Sequence, residues 1–475
     1  MDIMGRGSTT AVNPDQVSLK DEEGITISSL PAELLTLIFI FAQPTGERRR
    51  RHLREAPFEV ILTHVSRRWR RVALAIPQLW NRIDIYSPRP MHWARSYFTR
   101  SDAPGTLLDI HLSLYEWEQA RRKKRRSEPV LDVITDLAIT ILPHLHRIRG
   151  LFIICLSEDT CFTILVGILR YVSAPNLRSL QIKFNQRLSS RVIRPRGFKI
   201  LENGSQQLTF LETGQGDCMP SRSSLRNLTS LHLNNLHGEL HLTYSNLVDI
   251  LTAPDCLVYL SVKGGISMET WPLHSDRPDF HLNHLKAFRI YNEGTMALSL
   301  LLSMSAPQLE SLWLDTYTSN FGLLLLSPRV AQGLRRRKFP TLRYLTLRTM
   351  NLSLSVELAN IFPAITHLHL PGADSLHFEM LKSALLYSWS SLDTLVFTAL
   401  RNEDLTKLNA FLSSILLERR RQGRPIEHLL VEADHLRIID KGAADLRRET
   451  AVEIVSEDTY QEPWWIHAER LTEMV

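Results

Sequence analysis

The segment "SAPQLESLWLD", residues 305–315, contains the pattern that decides the fold. Its apolar residues Leu309, Leu312 and Leu314 follow the order apolar-x-x-apolar-x-apolar. The pattern occurs in ten segments: IRGLFI (148–153), LRSLQI (177–182), LTSLHL (228–233), LVYLSV (257–262), LKAFRI (285–290), LESLWL (309–314), LRYLTL (342–347), ITHLHL (365–370), LDTLVF (392–397) and IEHLLV (426–431). Successive copies start 23 to 34 residues apart, except for one interval of 51 residues into which the degenerate copy LTFLET (208–213) fits.

A repeat of this length is typical of a solenoid, because one short unit cannot bury its apolar side alone and must stack on its neighbours. The segments between copies have helical spacing, as in TMALSLLLSM (295–304) and EDLTKLNAFLSSILLERRR (403–421). The sequence therefore predicts an irregular α/β solenoid, a horseshoe with one strand per repeat in a parallel sheet. The alternative is an α/β domain whose strands merely share a leucine-rich pattern.

A second feature lies near the start of the chain, in "SSLPAELLTLIFIFA" (28–42). From Leu34 to Ala42 only Thr36 is not apolar, but the run is too short to span a membrane, which takes roughly 20 residues. Pro31 and Glu33 suit the first turn of a helix. We expect Leu34, Ile38 and Phe41 to face the core of a small helical unit. The apolar residues left for a partner are then Leu35, Leu37, Phe39 and Ile40.

The segment "LTHVSRRWRRVALAIPQLWNRIDI" (62–85) supplies the other part of that unit. Val65, Trp69, Val72 and Ala73 fall on one stripe of a helix, and Pro77 ends the helix because proline lacks the N–H that a further turn needs. The alternation in RIDIYS (82–87) predicts a strand, and so does that in GTLLDIHLSLYEW (105–117).

Together these two segments resemble an F-box, in particular the F-box-like domain common in fungal proteins. The resemblance covers roughly residues 27–85 and is carried by Leu30-Pro31, Glu33, Leu34-Leu35, Ile38-Phe39, Val65, Arg68, Trp69, Val72, Ala73, Pro77 and Leu79-Trp80. The chain departs from the family in a longer, more basic loop at 43–57 and in Ser66, where such sequences often have cysteine.

The resemblance implies a non-catalytic substrate receptor of an SCF-type cullin-RING ubiquitin ligase. The helical module would bind the adaptor subunit, and through it a cullin, while the repeats, which are loosely similar to leucine-rich repeats, would hold an unknown target protein. The residues expected at the adaptor are Leu30, Pro31, Leu34, Leu35, Ile38, Phe39, Val65 and Trp69. The alternatives are a scaffold protein that acts outside a ligase and a nuclear protein that binds nucleic acid through its basic runs.

The predicted organisation has five parts. They are a disordered tail (1–24), the F-box-like domain (25–85), a linking region (86–145), the solenoid (146–440) and a cap or tail (441–475). Alternation along the repeat strands places every second residue on the sheet face away from the leucines. The residues expected there to bind the target are Tyr259, Arg289, Tyr291, Trp313, Tyr344 and Arg348, because aromatic and arginine side chains dominate binding energies.

Other chemistry finds little support in the sequence. The four cysteines form no C-x-x-C pair, and no catalytic or phosphate-binding motif is present, so we expect neither cofactor nor metal. His367 and His369 are interpreted as exposed alternate residues of a repeat strand. The basic runs Arg48–Arg51, Arg121–Arg126, Arg335–Lys338 and Arg419–Arg421 are interpreted first as solvated faces, then as nuclear import signals, and only third as nucleic-acid contacts. The expected location is the cytoplasm, the nucleus or both, with no membrane contact.

Overall fold

A long parallel sheet is the main feature of the computed structural model. The structure describes residues 27, 29–44, 56–85, 92–113, 130–156, 167–185, 199–213, 219–234, 244–264, 280–292, 294–316, 338–348, 355–373, 375–398, 405–432 and 450–455. Within these residues, fourteen strands form one sheet in the order β1-β2-β3-β4-β6-β8-β9-β11-β13-β14-β15-β16-β17-β18. Two small sheets pair β5 with β7 and β10 with β12. The chain is therefore an α/β protein with a solenoid-like arrangement.

The strands are short and follow the repeat pattern. They are β1 Arg82–Ile85, β2 Leu108–Ser113, β3 Ile148–Leu156, β4 Ser179–Asn185, β5 Lys199–Ile200, β6 Phe210–Thr213, β7 Met219–Pro220, β8 Ser230–Leu233, β9 Tyr259–Lys263, β10 Phe280–His281, β11 Ala287–Asn292, β12 Met304–Ser305, β13 Ser311–Thr316, β14 Tyr344–Arg348, β15 His367–Pro371, β16 Thr394–Thr398, β17 His428–Glu432 and β18 Ala451–Val455.

Helices precede the sheet and separate many of its strands. They are α1 Ala32–Ala42, α2 Phe58–Val65, α3 Arg67–Leu74, α4 His92–Arg100, α5 Val130–Ile141, α6 Arg222–Leu225, α7 Tyr244–Thr252, α8 Gly294–Ser303, α9 Ser355–Ile361, α10 Ser375–Ser383 and α11 Leu405–Arg421. Two 3₁₀ helices, Pro77–Trp80 and Leu142–Arg147, and one π-helical turn, Ala384–Ser388, complete the set in the described residues.

An apolar row on one face of the sheet passes through thirteen strands, from β1 to β17. Its members are register partners on successive strands: Ile83, Ile110, Leu151, Leu180, Leu211, Leu231, Leu260, Phe288, Leu312, Leu345, Leu368, Leu395 and Leu429. From Ile83 to Leu429 each is at most 3% exposed. Full burial of such a side chain contributes about 1.5–3 kcal/mol to stability. Because the row is continuous from strand to strand, it forms the core that a single repeat could not form alone.

From β4 to β17, each repeat is joined to the next by the same backbone contact. The Val258 carbonyl accepts hydrogen bonds from the N–H groups of Lys286 and Ala287, at 2.9 and 3.2 Å. Equivalent pairs of bonds recur at nine carbonyls: Arg178, Thr209, Thr229, Val258, Lys286, Glu310, Arg343, Thr366 and Asp393. In every case the acceptor directly follows the first apolar residue of a copy. The repeated sequence therefore corresponds to a repeated hydrogen-bonding step.

Prolines set the turn that leads into several strands. Pro175, Pro307 and Pro340 each occupy the second position of a turn closed by a hydrogen bond to the first apolar residue of the copy, as in Leu309 N–H to the Ala306 carbonyl at 3.1 Å. Proline suits this position because its ring already fixes φ near the value that the turn requires.

The sheet confirms the repeat assignment and extends it. All ten predicted copies contribute a strand, and the degenerate copy LTFLET contributes β6 between β4 and β8. The strands predicted at 82–87 and 105–117 are β1 and β2, and β18 lies in the predicted C-terminal cap or tail. The parallel sheet thus continues beyond the predicted range 146–440 at both ends.

Ser66 interrupts the helix that was expected to contain both Val65 and Trp69, so the prediction of one continuous helix was wrong. Its backbone is extended (φ −157°, ψ 166°), and its hydroxyl accepts a hydrogen bond from the Trp69 N–H at 3.1 Å. The residue therefore ends α2 and caps the start of α3. Helix α3 ends at Leu74, and Pro77 begins the 3₁₀ turn that follows.

The N-terminal helices share a buried core with the first strands. Trp80 is fully buried, and its indole N–H donates to the Ala73 carbonyl at 2.9 Å. The Tyr97 ring on α4 meets Trp80 edge-on at 5.0 Å, and its hydroxyl donates to the buried carboxylate of Glu59 on α2 at 2.7 Å. These contacts fix α2, α3 and α4 around one aromatic centre, directly before β1.

A buried arginine ties the last long helix to the preceding repeat. Arg419, on α11, is 1% exposed, and its guanidinium donates to the carbonyls of Leu385, Trp389, Leu392 and Arg424. The interpretation of Arg419–Arg421 as a solvated face was therefore wrong at its first position. Burial lowers the pKa of Arg419, and the nearby charge of Arg424 adds to this.

We expect Arg419→Met to lower the free energy of unfolding by about 3 kcal/mol, because it leaves buried carbonyls without a donor. Arg421→Met is the matched control, since Arg421 is exposed and makes only an i,i+3 ion pair with Glu418. The measurement is the urea midpoint of each variant by circular dichroism. Equal midpoints for the two variants would show that the Arg419 contacts are not stabilising.

Candidate functional site

Two surfaces of the molecule qualify as candidate binding sites, and the first is the polar face of the sheet. On this face the register aligns Tyr259, Ala287, Ser311 and Tyr344 in one row. A second row contains Ser261, Arg289, Trp313 and Thr346, and a third contains Lys263, Tyr291, Asp315 and Arg348. The six predicted target-binding residues thus share one face of four adjacent strands, β9, β11, β13 and β14.

Two cation–aromatic pairs lie side by side on this face. The Lys263 ammonium is 4.8 Å from the centre of the Tyr291 ring, and the Arg289 guanidinium is 4.1 Å from that of Trp313. In both pairs the cation and the ring are register partners on neighbouring strands. Such contacts contribute about 0.5–2 kcal/mol and hold the long cationic side chains against the sheet.

An acidic residue and an arginine follow Tyr291 along the third row. Asp315 is 1% exposed, whereas Arg348 is exposed, with its Nη1 3.9 Å from the Asp315 carboxylate. Tyr259, Arg289, Tyr291, Trp313 and Tyr344 are all half-buried. Burial raises the pKa of the Tyr291 hydroxyl, and Asp315 adds to that effect. The predicted residues therefore lie together: their aromatic rings are half-buried, and their cationic groups are partly accessible.

Histidines extend the same face on both sides, although they were not among the residues predicted to bind the target. His369 is buried and meets Trp313 edge-on at 6.2 Å, and its Nε2 is 2.9 Å from the Thr398 hydroxyl. Its interpretation as an exposed alternate residue was wrong. His367 is half-buried, and its ring lies 4.4 Å from that of Tyr344. The alternation in ITHLHL correctly placed both histidines on this face. Alternation does not show, however, how far the side chains of neighbouring rows cover a residue.

His232 lies in the second row, on β8, next to Ser261 on β9. Burial lowers its pKa to about 3, and the positive charges of Lys183 and Arg289 contribute to the shift. His232 is therefore neutral at physiological pH.

The second candidate surface lies on the N-terminal helices. On α1, the exposed residues Leu34, Leu37, Ile38 and Phe41 are spaced i, i+3, i+4 and i+7, and Phe41 is 84% exposed. This spacing puts them on one face of the helix. We call these four residues the apolar stripe. On α2, Ile61 and Val65 are also exposed, at a spacing that places them one turn apart.

The core assignment of α1 was wrong, although Leu37 and Ile40 are exposed as expected. Leu35 and Phe39 are buried, and Phe39 meets the Trp69 ring at 4.9 Å, whereas Leu34, Ile38 and Phe41 are exposed. Among the predicted adaptor-binding residues, Leu35 and Phe39 are therefore inaccessible. Leu30 and Trp69 are half-buried and pack against the core. The accessible members are Pro31, Leu34, Ile38 and Val65.

The remaining candidate features give no further candidate site within the described residues. In the described ranges, no three His, Cys, Asp or Glu residues come together as metal ligands, and no helix among them has the length and apolar character to cross a membrane. The basic runs Arg48–Arg51 and Arg121–Arg126, like 335–337, lie outside the described residues. Lys338 is buried, and its ammonium donates to the Leu302 carbonyl, so it has a structural contact rather than a solvated position.

Comparison with known proteins identifies no family. No protein family model matches this chain, and no curated protein matches it. Among solved structures, the chain is similar to the crystal structure of a protein from Bacteroides fragilis, with 13% sequence identity and a TM-score of 0.35, over 67% of this chain and 76% of that chain. The function of this chain is therefore inferred from its own two surfaces.

The low pKa of His232 predicts a specific pH dependence of stability. Because its pKa is about 3 in the folded chain against an ordinary value of 6.5, protons bind the unfolded state preferentially as the pH falls below 6.5. We expect the wild type to lose about 1–2 kcal/mol more stability than His232→Gln between pH 7 and pH 5.

Urea denaturation at the two pH values measures this difference, and His281→Gln, at an exposed histidine, is the control that should follow the wild type. If the stabilities of His232→Gln and of the wild type change equally between the two pH values, the pKa of His232 is not lowered in the folded chain.

Proposed function

We propose that this protein is a substrate receptor of an SCF-type cullin-RING ubiquitin ligase. In this proposal the N-terminal helices bind the adaptor subunit, and the polar face of the sheet binds a target protein. The protein contributes no catalytic group of its own and acts by holding the target near the ubiquitin-conjugating enzyme. The F-box-like and leucine-rich-repeat-like sequence patterns support this proposal, and so does one structural observation.

That observation is the division of α1 into two apolar faces. Leu35 and Phe39 face the core, while the apolar stripe of Leu34, Leu37, Ile38 and Phe41 is exposed. Helices that dock into the groove of a partner protein do so through apolar side chains at positions i, i+3, i+4 and i+7, and the apolar stripe has this spacing. Removing apolar surface from water contributes about 25 cal/mol for every Å² that is buried. A partner that covers the apolar stripe would therefore gain binding free energy.

The polar face supports the other half of the proposal. It brings Arg289, Tyr291, Trp313, Tyr344 and Arg348 to adjacent strands of a sheet that is packed on its opposite face. Arginine and aromatic side chains on a rigid scaffold can bind a partner with little loss of side-chain entropy. This arrangement favours binding of a protein over chemistry on a small molecule.

The test is binding of a purified SCF adaptor to the full chain. We expect the double variant Leu34→Asp/Ile38→Asp to weaken adaptor binding at least about tenfold, because two charged groups would enter an apolar groove. Isothermal titration calorimetry or a quantitative pull-down measures the change.

Ile139→Asp is the matched control, because Ile139 is an aliphatic residue on α5 that is 63% exposed and lies outside the stripe. This variant should bind the adaptor as the wild type does. The proposal fails if the wild-type chain does not bind the adaptor, or if the double variant binds it unchanged.

A further inference from the structure

The polar face carries an excess of positive charge where the predicted target-binding residues lie. In the three rows that cross β9, β11, β13 and β14, the cationic residues are Lys263, Arg289 and Arg348, and the acidic residue is Asp315. The acidic residue is almost fully buried, whereas Arg348 is exposed and the other two cations are half-buried. The accessible charge of this patch is therefore positive.

The cations are held in a fixed arrangement. Lys263 and Arg289 stack on the rings of Tyr291 and Trp313, and Arg348 lies beside Asp315 in the same row as Lys263. Neighbouring strands of a sheet are about 4.8 Å apart, so Arg348 and Lys263, three strands apart, are separated by roughly 14 Å along the row. This distance matches a few residues of an extended polypeptide, which advances about 3.3 Å per residue.

We infer that this patch binds an acidic segment of a target polypeptide, in which carboxylate or phosphate side chains pair with Lys263, Arg289 and Arg348. The inference rests on the proposed receptor function and specifies its target. Arginine suits this role because its planar guanidinium donates two parallel hydrogen bonds to a carboxylate or a phosphate.

The same geometry disfavours nucleic acid as the occupant. Single-stranded nucleic acid binds by stacking its bases on open aromatic rings, but one face of both Tyr291 and Trp313 is covered by a cation of this chain.

The experiment measures fluorescence anisotropy of four labelled probes on the full chain. They are a twelve-residue Glu-Gly repeat, its Gln-Gly counterpart, a phosphoserine-Gly repeat and a twelve-nucleotide oligo-dT. We expect the Glu-Gly or the phosphoserine-Gly peptide to bind at least about tenfold more tightly than the Gln-Gly peptide, with an affinity that falls as salt rises. The tighter of the two acidic peptides identifies whether carboxylate or phosphate is the preferred group.

Two variants test the residues. Lys263→Gln/Arg348→Gln removes the two outer cations and keeps the Arg289–Trp313 contact, and we expect it to weaken the acidic peptides about tenfold or more. Arg289→Gln tests the central cation separately. Arg222→Gln/Arg226→Gln is the matched control, because it removes the same charge from two exposed arginines at α6 and should bind the peptides as the wild type does.

Three results would overturn the inference. They are equal binding of the Glu-Gly, phosphoserine-Gly and Gln-Gly peptides, an equal loss in the control variant, and oligo-dT binding as tight as that of the better acidic peptide. Thermal melting checks that each variant is folded. Adaptor binding should be the same in all these variants and in the wild type, so failure of this inference is distinguishable from failure of the proposed function.

Discussion

The register of the parallel sheet is the constraint on which the rest of the molecule depends. Each strand of this sheet has only four to nine residues, and from β4 to β17 successive strands are joined by the doubled hydrogen bond at the carbonyl that follows the first apolar residue of a repeat. Because side chains alternate along a strand, a slip of one residue would exchange the two faces of the sheet. The step that aligns Leu312 with Phe288 also aligns Trp313 with Arg289. The core and the candidate binding face are therefore consequences of one register.

The sequence period predicted most of this sheet because the period has a direct structural counterpart. The first apolar residue of a copy, such as Leu309, closes a turn, and the two that follow it, Leu312 and Leu314, enter the core. That correspondence also identified β6, although LTFLET ends in a threonine. Strand β18 lacks the complete pattern, so its membership of the same sheet depends on tertiary pairing that a local pattern does not contain. The segments WNRIDI (80–85) and LLDIHL (107–112), which contain β1 and β2, have the same apolar spacing as the repeats.

The mistaken predictions share a different cause, since each depended on what surrounds a residue. In α1 nearly every residue is apolar, so periodicity cannot select a face, and the position of the Trp69 ring makes Phe39 the buried residue. Arg419 lies in a run of three arginines that looks solvated, yet the carbonyl groups of an adjacent π-helical turn and loop make it a buried donor. Backbone acceptors of this kind are invisible in a sequence. The positions of Tyr291 and Trp313 could be predicted because they follow from alternation alone.

The contacts around Trp80 bear on how a receptor of this design would work. A receptor that acts by position must hold its adaptor-binding surface and its target-binding surface in a defined relation, because a flexible connection would spread the target over many distances. Here Trp80 hydrogen-bonds to the end of α3, meets Tyr97 of α4 and directly precedes β1, while Tyr97 reaches Glu59 on α2. Phe39 of α1 packs on Trp69 of α3, so the helix that carries the apolar stripe is joined through these contacts to the first strands of the sheet. Since that sheet continues in register to the patch around Arg289, movement of one surface relative to the other requires the breaking of buried contacts rather than the bending of a linker.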